Sequence, residues 1–95
     1  MIYYHCMPSR YYPDQITESG FTPYRGAVWL AETDRHAFQG NQTRGESKTV
    51  IAIDTAGYEI EDHSDMDICK KTGRPYYILR REFIPISRIK VIYQQ

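Results

Sequence analysis

The sequence predicts a small α+β domain, with short helices early in the chain and strands dominating its second half. Helix signals follow each of the first two strand-like runs, at residues 9–18 and 34–39. Three more strand-like runs, at 49–54, 76–80 and 88–93, then follow without a helix signal between them. This separation of helices from strands is typical of α+β folds, whereas a doubly wound parallel sheet alternates the two throughout.

Length, composition and charge limit what the chain can be. Its 95 residues, 41% hydrophobic and 25% charged, suit one globular domain over residues 1–95 with a single modest core. Twelve basic and twelve acidic residues give a net charge of +0, so no overall field attracts nucleic acid or a membrane. No apolar run reaches the roughly 18 residues that a spanning helix needs. We therefore expect a soluble, cytoplasmic protein, whose oligomeric state stays open.

The first unit is predicted to be a strand followed by a short helix. Residues 2–7 are mostly aromatic and apolar, and Pro8 ends the run. Residues 9–18 predict a helix, because Pro13 suits a first turn, where its missing N–H is not needed. Gly20 stands where a glycine commonly ends a helix.

The second unit repeats this order. The continuous apolar run at 27–31 predicts a buried strand. Thr33 is placed to cap a brief helix at 34–39, because its hydroxyl can accept a backbone N–H of the first turn. Gly40 would end that helix, and the polar residues 41–47 predict a loop.

The second half of the chain is predicted to consist of strands and turns. The run at 49–54 is the strongest strand signal, and a turn follows at 56–57. Residues 59–67 carry five carboxylates and predict a solvated loop, while 70–75 predicts another turn. Pro85 interrupts the next apolar run. The remaining strands are predicted at 76–80 and 88–93.

The cysteines and histidines form no metal or nucleophile motif. Cys6 and Cys69 lack CxxC spacing, so we expect reduced, partly buried thiols, although the sequence leaves a disulfide between them open. The histidines lack HxxxH spacing, so no metal site is expected. The glycines are scattered singly, so there is no glycine-rich phosphate loop.

His5 is the most informative polar residue of the first strand. It lies near the end of an otherwise apolar and aromatic run, just before the break at Pro8. Two interpretations stay open. His5 is either a core histidine whose hydrogen bonds are satisfied internally, or a hydrogen-bond donor at the mouth of a cleft.

Four short blocks carry motif-like patterns, in this order: residues 4–9 with 18–21, residues 26–32, residues 49–54 with 56–59, and residues 76–79 with 83–89. Together they resemble the ADP-ribosyltransferase-fold family, whose patterns are hHxTS with IhxxGh, then G-h-Y-h-(A/T)-D, hhEVDhxGhEhE, and EYhV with IPPERI. The resemblance covers most of the chain. It implies a small split two-sheet fold, with short helices after the first two strands and an NAD-binding cleft between the sheets.

The same resemblance implies roles for five residues in binding NAD. His5 falls on the family histidine that hydrogen-bonds the ribose of the adenosine half, and the backbone of Cys6 falls where the nicotinamide amide is held. Trp29 replaces the motif tyrosine, and its indole offers a similar stacking face. Ser9 and Arg10 follow the histidine and are candidates to reach phosphate or ribose, Arg10 by a bidentate contact. For Arg10, a solvated cation at a helix start is the equally open alternative.

The catalytic glutamate of the family is not at its expected place. The matching place is Tyr76, or Pro75 one residue earlier, and neither is a carboxylate; Tyr76 is instead a candidate for cofactor binding. Glu82 is the nearest acid, six residues further on, and reaching the same place would require a shifted register. We therefore name His5 and Glu82 as candidate catalytic residues. The alternative for Glu82 is a surface carboxylate paired with Arg80 or Arg81.

A related branch of the family, the RNA 2′-phosphotransferases, lacks this glutamate and binds its substrates with arginine and histidine residues. The end of the present chain is basic, with seven cations against one acid, and this polarity could present a basic face to nucleic acid. The alternative is a solvated basic face that balances the acidic segment. The cations are Lys70, Lys71, Arg74, Arg80, Arg81, Arg88 and Lys90.

The resemblance leads to one leading hypothesis and two alternatives. The leading hypothesis is an NAD-binding, ADP-ribosyltransferase-like protein of bacterial or phage type that transfers ADP-ribose to a protein or nucleic-acid acceptor. Whether it is an enzyme stays open. The first alternative is a non-catalytic nucleotide- or protein-binding module on the same fold, because the glutamate is missing. The second is a small structural domain in which His5 belongs to the core.

Overall fold

A computed structural model describes residues 1–40 and 46–94 as an α+β structure. The described residues form a six-stranded antiparallel sheet, a two-stranded sheet and short helices. The strands are β1 (Ile2–Pro8), β2 (Gly20–Phe21), β3 (Ala27–Ala31), β4 (Lys48–Asp54), β5 (Glu61–Asp62), β6 (Tyr76–Arg80), β7 (Ile84–Pro85) and β8 (Ile89–Gln94). The α-helices are α1 (Tyr12–Gln15), α2 (Asp34–Gly40) and α3 (Asp67–Thr72), and 3₁₀ turns span Ser9–Tyr11, Tyr24–Gly26 and Ile86–Arg88.

The large sheet has the order β5-β6-β3-β1-β4-β8, so the first strand lies near its centre. β1 pairs with β4 along its whole length, from Ile2 opposite Asp54 to Pro8 opposite Lys48. β2 and β7 form the small sheet. All of these pairs are antiparallel, which confirms the predicted α+β class.

Side chains alternate between the two faces of the large sheet, and each face is covered differently. The small sheet covers one face and contributes Phe21 and Ile84, both fully buried. α2 covers the other face, where Ala37 packs with Ala31 and Val50. The first face also supplies Tyr3, Met7, Val28, Leu30, Ile51, Ile53 and Leu79 to the larger core.

The predicted first helix is shorter than the sequence indicated. The 3₁₀ turn and α1 together end at Gln15, although Pro13 does lie in the first turn of α1. Gly20 ends no helix, and it lies in β2 instead. A Cβ atom on Gly20 would lie 2.2 Å from the carbonyl oxygen of Ile84, so the contact between β2 and β7 requires glycine here.

The second helix agrees with its prediction. The backbone N–H of His36 donates to the Thr33 hydroxyl over 3.1 Å, which is the expected capping bond. α2 then ends at Gly40. The predicted loop at 41–47 falls mainly on residues 41–45, which lie outside the described part of the chain.

α3 was not predicted, because its residues were divided between an acidic loop and a turn. Its only buried side chain is Cys69, so the helix lacks the apolar repeat by which amphipathic helices are recognised. Gly73 ends it in the left-handed conformation, at φ 68°. Within the described residues, the longest helix has seven residues, and none is long and apolar enough to cross a membrane.

Candidate functional site

A cleft opens where β1 and β3 separate. These neighbouring strands are paired at Tyr4 and Ala31, near the start of β1 and the end of β3. Beyond that pair, the later residues of β1 and the earlier residues of β3 line opposite walls of a cleft of about 730 Å³. Its lining residues are His5, Cys6, Met7, Pro8, Tyr11, Gln15, Phe21, Tyr24, Arg25, Ala27, Val28 and Trp29.

His5 joins the two walls of the cleft. Its Nδ1 lies 2.9 Å from the carbonyl oxygen of Trp29, and its ring stacks on Phe21 with 5.7 Å between the centroids. A carbonyl oxygen only accepts, so the Nδ1 of His5 carries the proton and donates. This bond satisfies a carbonyl group of β3 at the point where the pairing with β1 has ended.

The charge state of His5 follows from its surroundings. Burial lowers its pKa from 6.5 to about 4, and the bond to the Trp29 carbonyl offsets only part of that effect. The ring is therefore neutral at pH 7, with an unprotonated Nε2. The sequence suggested that His5 is a donor at the cleft mouth. Its one ring N–H, at Nδ1, already donates to the Trp29 carbonyl, so Nε2 can only accept a hydrogen bond.

Trp29 lines the cleft from β3, but its large aromatic side chain lies on the other face of the sheet from the His5 ring. It lies between Val28 and Leu30, which belong to the larger core, so alternation directs its side chain to the opposite face of the sheet. The residue is 48% exposed, and its ring meets His63 edge-on at 5.4 Å. A flat indole with one open side is suited to stacking against a planar ligand.

Ser9 and Arg10 are not among the residues that line the cleft, and both have protein partners. The Ser9 hydroxyl hydrogen-bonds that of Thr49 at 2.9 Å. The Arg10 guanidinium forms an ion pair with Glu46 and donates to the Tyr11 hydroxyl over 3.0 Å.

Tyr76 and Glu82 also lie outside the cleft lining. The Tyr76 hydroxyl donates to the carbonyl oxygen of His36 in α2, at 3.5 Å, and its ring packs in the core beneath that helix. Glu82 is exposed beside Gly26, where an added Cβ would be 3.7 Å from its Cγ. The described residues that line the cleft include no carboxylate.

The arginines predicted as alternative partners of Glu82 have other contacts. Arg80 forms an ion pair with Glu61. The guanidinium of Arg81 lies 4.0 Å from the centroid of the Tyr58 ring. The predicted alternative, a pair between Glu82 and one of these arginines, is not among the ion pairs of the described residues.

Cys6 and Cys69 are both reduced thiols, and no disulfide joins them. Burial raises the pKa of Cys6 to about 11, although nearby Lys48 lowers it in part. Such a thiol is protonated at neutral pH and is a poor nucleophile. Among the residues that the structure describes, no group of three His, Cys, Asp or Glu side chains is placed to hold a metal ion.

Arg25 is a lining residue that the sequence interpretation did not single out. It has φ 56° and ψ 26°, in the left-handed region that non-glycine residues rarely adopt. Its guanidinium lies 5.4 Å from the centroid of the Tyr24 ring. The signal available in the sequence was an arginine directly before Gly26, at the entry to a predicted strand.

The cleft combines an acceptor nitrogen, aromatic surfaces and one cation in a largely apolar lining. Such a combination suits a ligand with a planar ring, hydroxyl groups and negative charge. No family model, curated protein or solved structure matches the chain.

Proposed function

We propose that this chain binds NAD in the cleft between β1 and β3, as a minimal ADP-ribosyltransferase-like protein. The observation that carries the proposal is that His5 and Trp29, from two different motif-like blocks, line one cleft at the split of the sheet. Because NAD is present in the cytoplasm, a cytoplasmic location goes with the proposal.

The chemistry of the lining suits the parts of this ligand. The Nε2 of neutral His5 accepts a hydrogen bond from a ribose hydroxyl. Trp29 stacks on the nicotinamide ring, and the backbone beside Cys6 meets the carboxamide.

Transfer would break the bond between the nicotinamide nitrogen and C1′ of its ribose. The bonding electrons leave with nicotinamide, and C1′ develops cationic character before it bonds to an acceptor that loses a proton. A carboxylate near C1′ stabilises that charge. Glu82, beside Gly26 at the rim, is the candidate for this role, and the acceptor is a protein or a nucleic acid.

A specific observation favours the second candidate function, a binding module without transfer activity. The described lining residues include no carboxylate, and Tyr76 is directed to α2 rather than to the cleft. Such a protein would hold NAD or another nucleotide and leave the glycosidic bond intact.

Thermal unfolding with and without millimolar NAD tests the cofactor site. A ligand at about 100 times its Kd stabilises the folded state by roughly 2.7 kcal/mol, which raises the Tm of a domain of this size by about 13 °C. His5→Asn retains a donor for the Trp29 carbonyl but removes the Nε2 acceptor, so its shift should be much smaller. An unchanged Tm for the wild type with NAD would exclude NAD as the ligand under both candidate functions.

Release of nicotinamide then separates the enzyme from the binding module. Wild type, Glu82→Gln and the matched surface variant Glu59→Gln are incubated with NAD and an acceptor extract. Release that is lost only in Glu82→Gln assigns the catalytic carboxylate. Release that survives in Glu82→Gln removes Glu82 from the mechanism, and NAD binding without release supports the module.

A further inference from the structure

Arg25 lies in a tight turn before β3, which the backbone N–H of Ala27 closes by donating to the carbonyl oxygen of Tyr24. Arg25 adopts the left-handed conformation, and Gly26 follows it at φ 70°. Glycine, asparagine and aspartate occupy this region with little penalty, whereas arginine has no short polar side chain to compensate for it. The turn explains the backbone conformation but not the choice of arginine, whose side chain lines the cleft.

Arg25 is also a cation without an ionic partner in the described part of the chain. Arg10 is paired with Glu46. Arg80 is paired with Glu61. No ion pair among the described residues involves Arg25, which is the one charged residue of the described cleft lining.

The position of the Arg25 side chain suits binding of a ligand from solution. Its guanidinium lies above the ring of Tyr24, another lining residue, and such contacts with aromatic rings hold arginine planes in place. The rest of the described lining is neutral and mostly apolar, so an anion that enters the cleft has Arg25 as its one cationic partner there.

We infer that Arg25 binds a phosphate group of the ligand, so that the cleft selects phosphate-bearing nucleotides over nucleosides. The inference rests on the proposed nucleotide site and adds its anion-binding residue. A guanidinium binds two phosphate oxygens through parallel N–H donors, which a lysine cannot reproduce. This role replaces the one that the sequence suggested for Arg10.

The test measures Kd values for NAD and for ADP with wild type, Arg25→Gly, Arg25→Lys and Arg35→Gln. Glycine accepts φ 56° without strain, so Arg25→Gly should fold with an unchanged or higher Tm. Its affinity for both ligands should fall at least about tenfold, the loss expected for a charge-assisted contact. The affinity of Arg25→Lys for each ligand should lie between those of wild type and Arg25→Gly. Arg35 lies in α2, outside the cleft lining, and its replacement should leave both Kd values unchanged.

The two ligands distinguish failure of this inference from failure of the proposed function. Equal NAD affinity in wild type and Arg25→Gly overturns the role of Arg25 but retains the NAD site. Binding of ADP but not NAD, with the loss in Arg25→Gly, supports Arg25 and overturns the NAD assignment. A wild type that binds neither ligand overturns both.

Discussion

Replacing His5 by asparagine should remove a pH dependence of stability that the wild type shows between pH 6.5 and pH 4. The imidazole resists protonation in the folded chain, where its pKa is about 4, whereas the unfolded chain protonates near the ordinary value of 6.5. As the pH falls through this window, His5 binds a proton in the unfolded state but stays largely unprotonated in the folded state. Wild-type stability therefore falls with acidification.

The magnitude follows from the two pKa values. Within the window, the free energy of unfolding falls by about 1.4 kcal/mol per pH unit from this one group. Between pH 6.5 and 4 the loss approaches about 3 kcal/mol. Water that enters the cleft screens the ring, so this value is an upper limit. Asparagine does not titrate, and its Nδ2 can replace Nδ1 as donor to the Trp29 carbonyl.

Urea denaturation of wild type and His5→Asn at pH 7.5, 6.5, 5.5 and 4.5 measures the effect. All other titratable groups are shared, so the difference in the free energy of unfolding between the two proteins isolates His5. We expect the difference to be constant above pH 6.5 and to change in favour of His5→Asn below it. A difference that stays constant down to pH 4.5 would refute the assignment of a buried, neutral imidazole.

Two further predictions concern Gly20 and Cys6. Gly20→Ala should lower the free energy of unfolding by about 3 kcal/mol, because its Cβ would lie 2.2 Å from the Ile84 carbonyl oxygen. Gly57→Ala is the control for backbone conformation, because Gly57 has φ 81° but open space where a Cβ would lie. Its free energy of unfolding should fall by less than that of Gly20→Ala in the same urea titration. Equal losses would contradict the steric argument. The Cys6 thiol, with a pKa of about 11, should react with iodoacetamide at pH 8 about a hundredfold more slowly than a free cysteine. Mass spectrometry of native and urea-unfolded samples measures both rates, and equal rates would refute the burial of this thiol.

The elements that the sequence predicted well are those whose signal is local. The apolar run that became β4 and the capping hydroxyl of Thr33 each act on their own neighbours. α3 was missed because one buried residue, Cys69, gives no helical repeat. The two-residue strand at Gly20 and Phe21 depends on its pairing with β7, a contact that no local pattern reveals.

The candidate site was predictable only in part, for a similar reason. His5 and Trp29 stand in motif-like blocks, and both line the cleft. The direction of Tyr76 depends on its strand register opposite Ala31, which turns it toward α2. Arg25, rather than Arg10, is the candidate anion-binding residue because of its backbone conformation and because Arg10 is paired with Glu46. Neither feature can be predicted from residue types.

The central place of β1 has a consequence for how the chain folds. Its partners in β3 and β4 follow much later in the sequence, with Ile2 opposite Asp54. Closing such long loops before contacts form slows folding, and sheets of this kind fold in milliseconds to seconds. The cleft has its walls on β1 and β3, so it exists only after this slow step. A ligand added during refolding should therefore bind in the last kinetic phase and should slow unfolding without accelerating collapse.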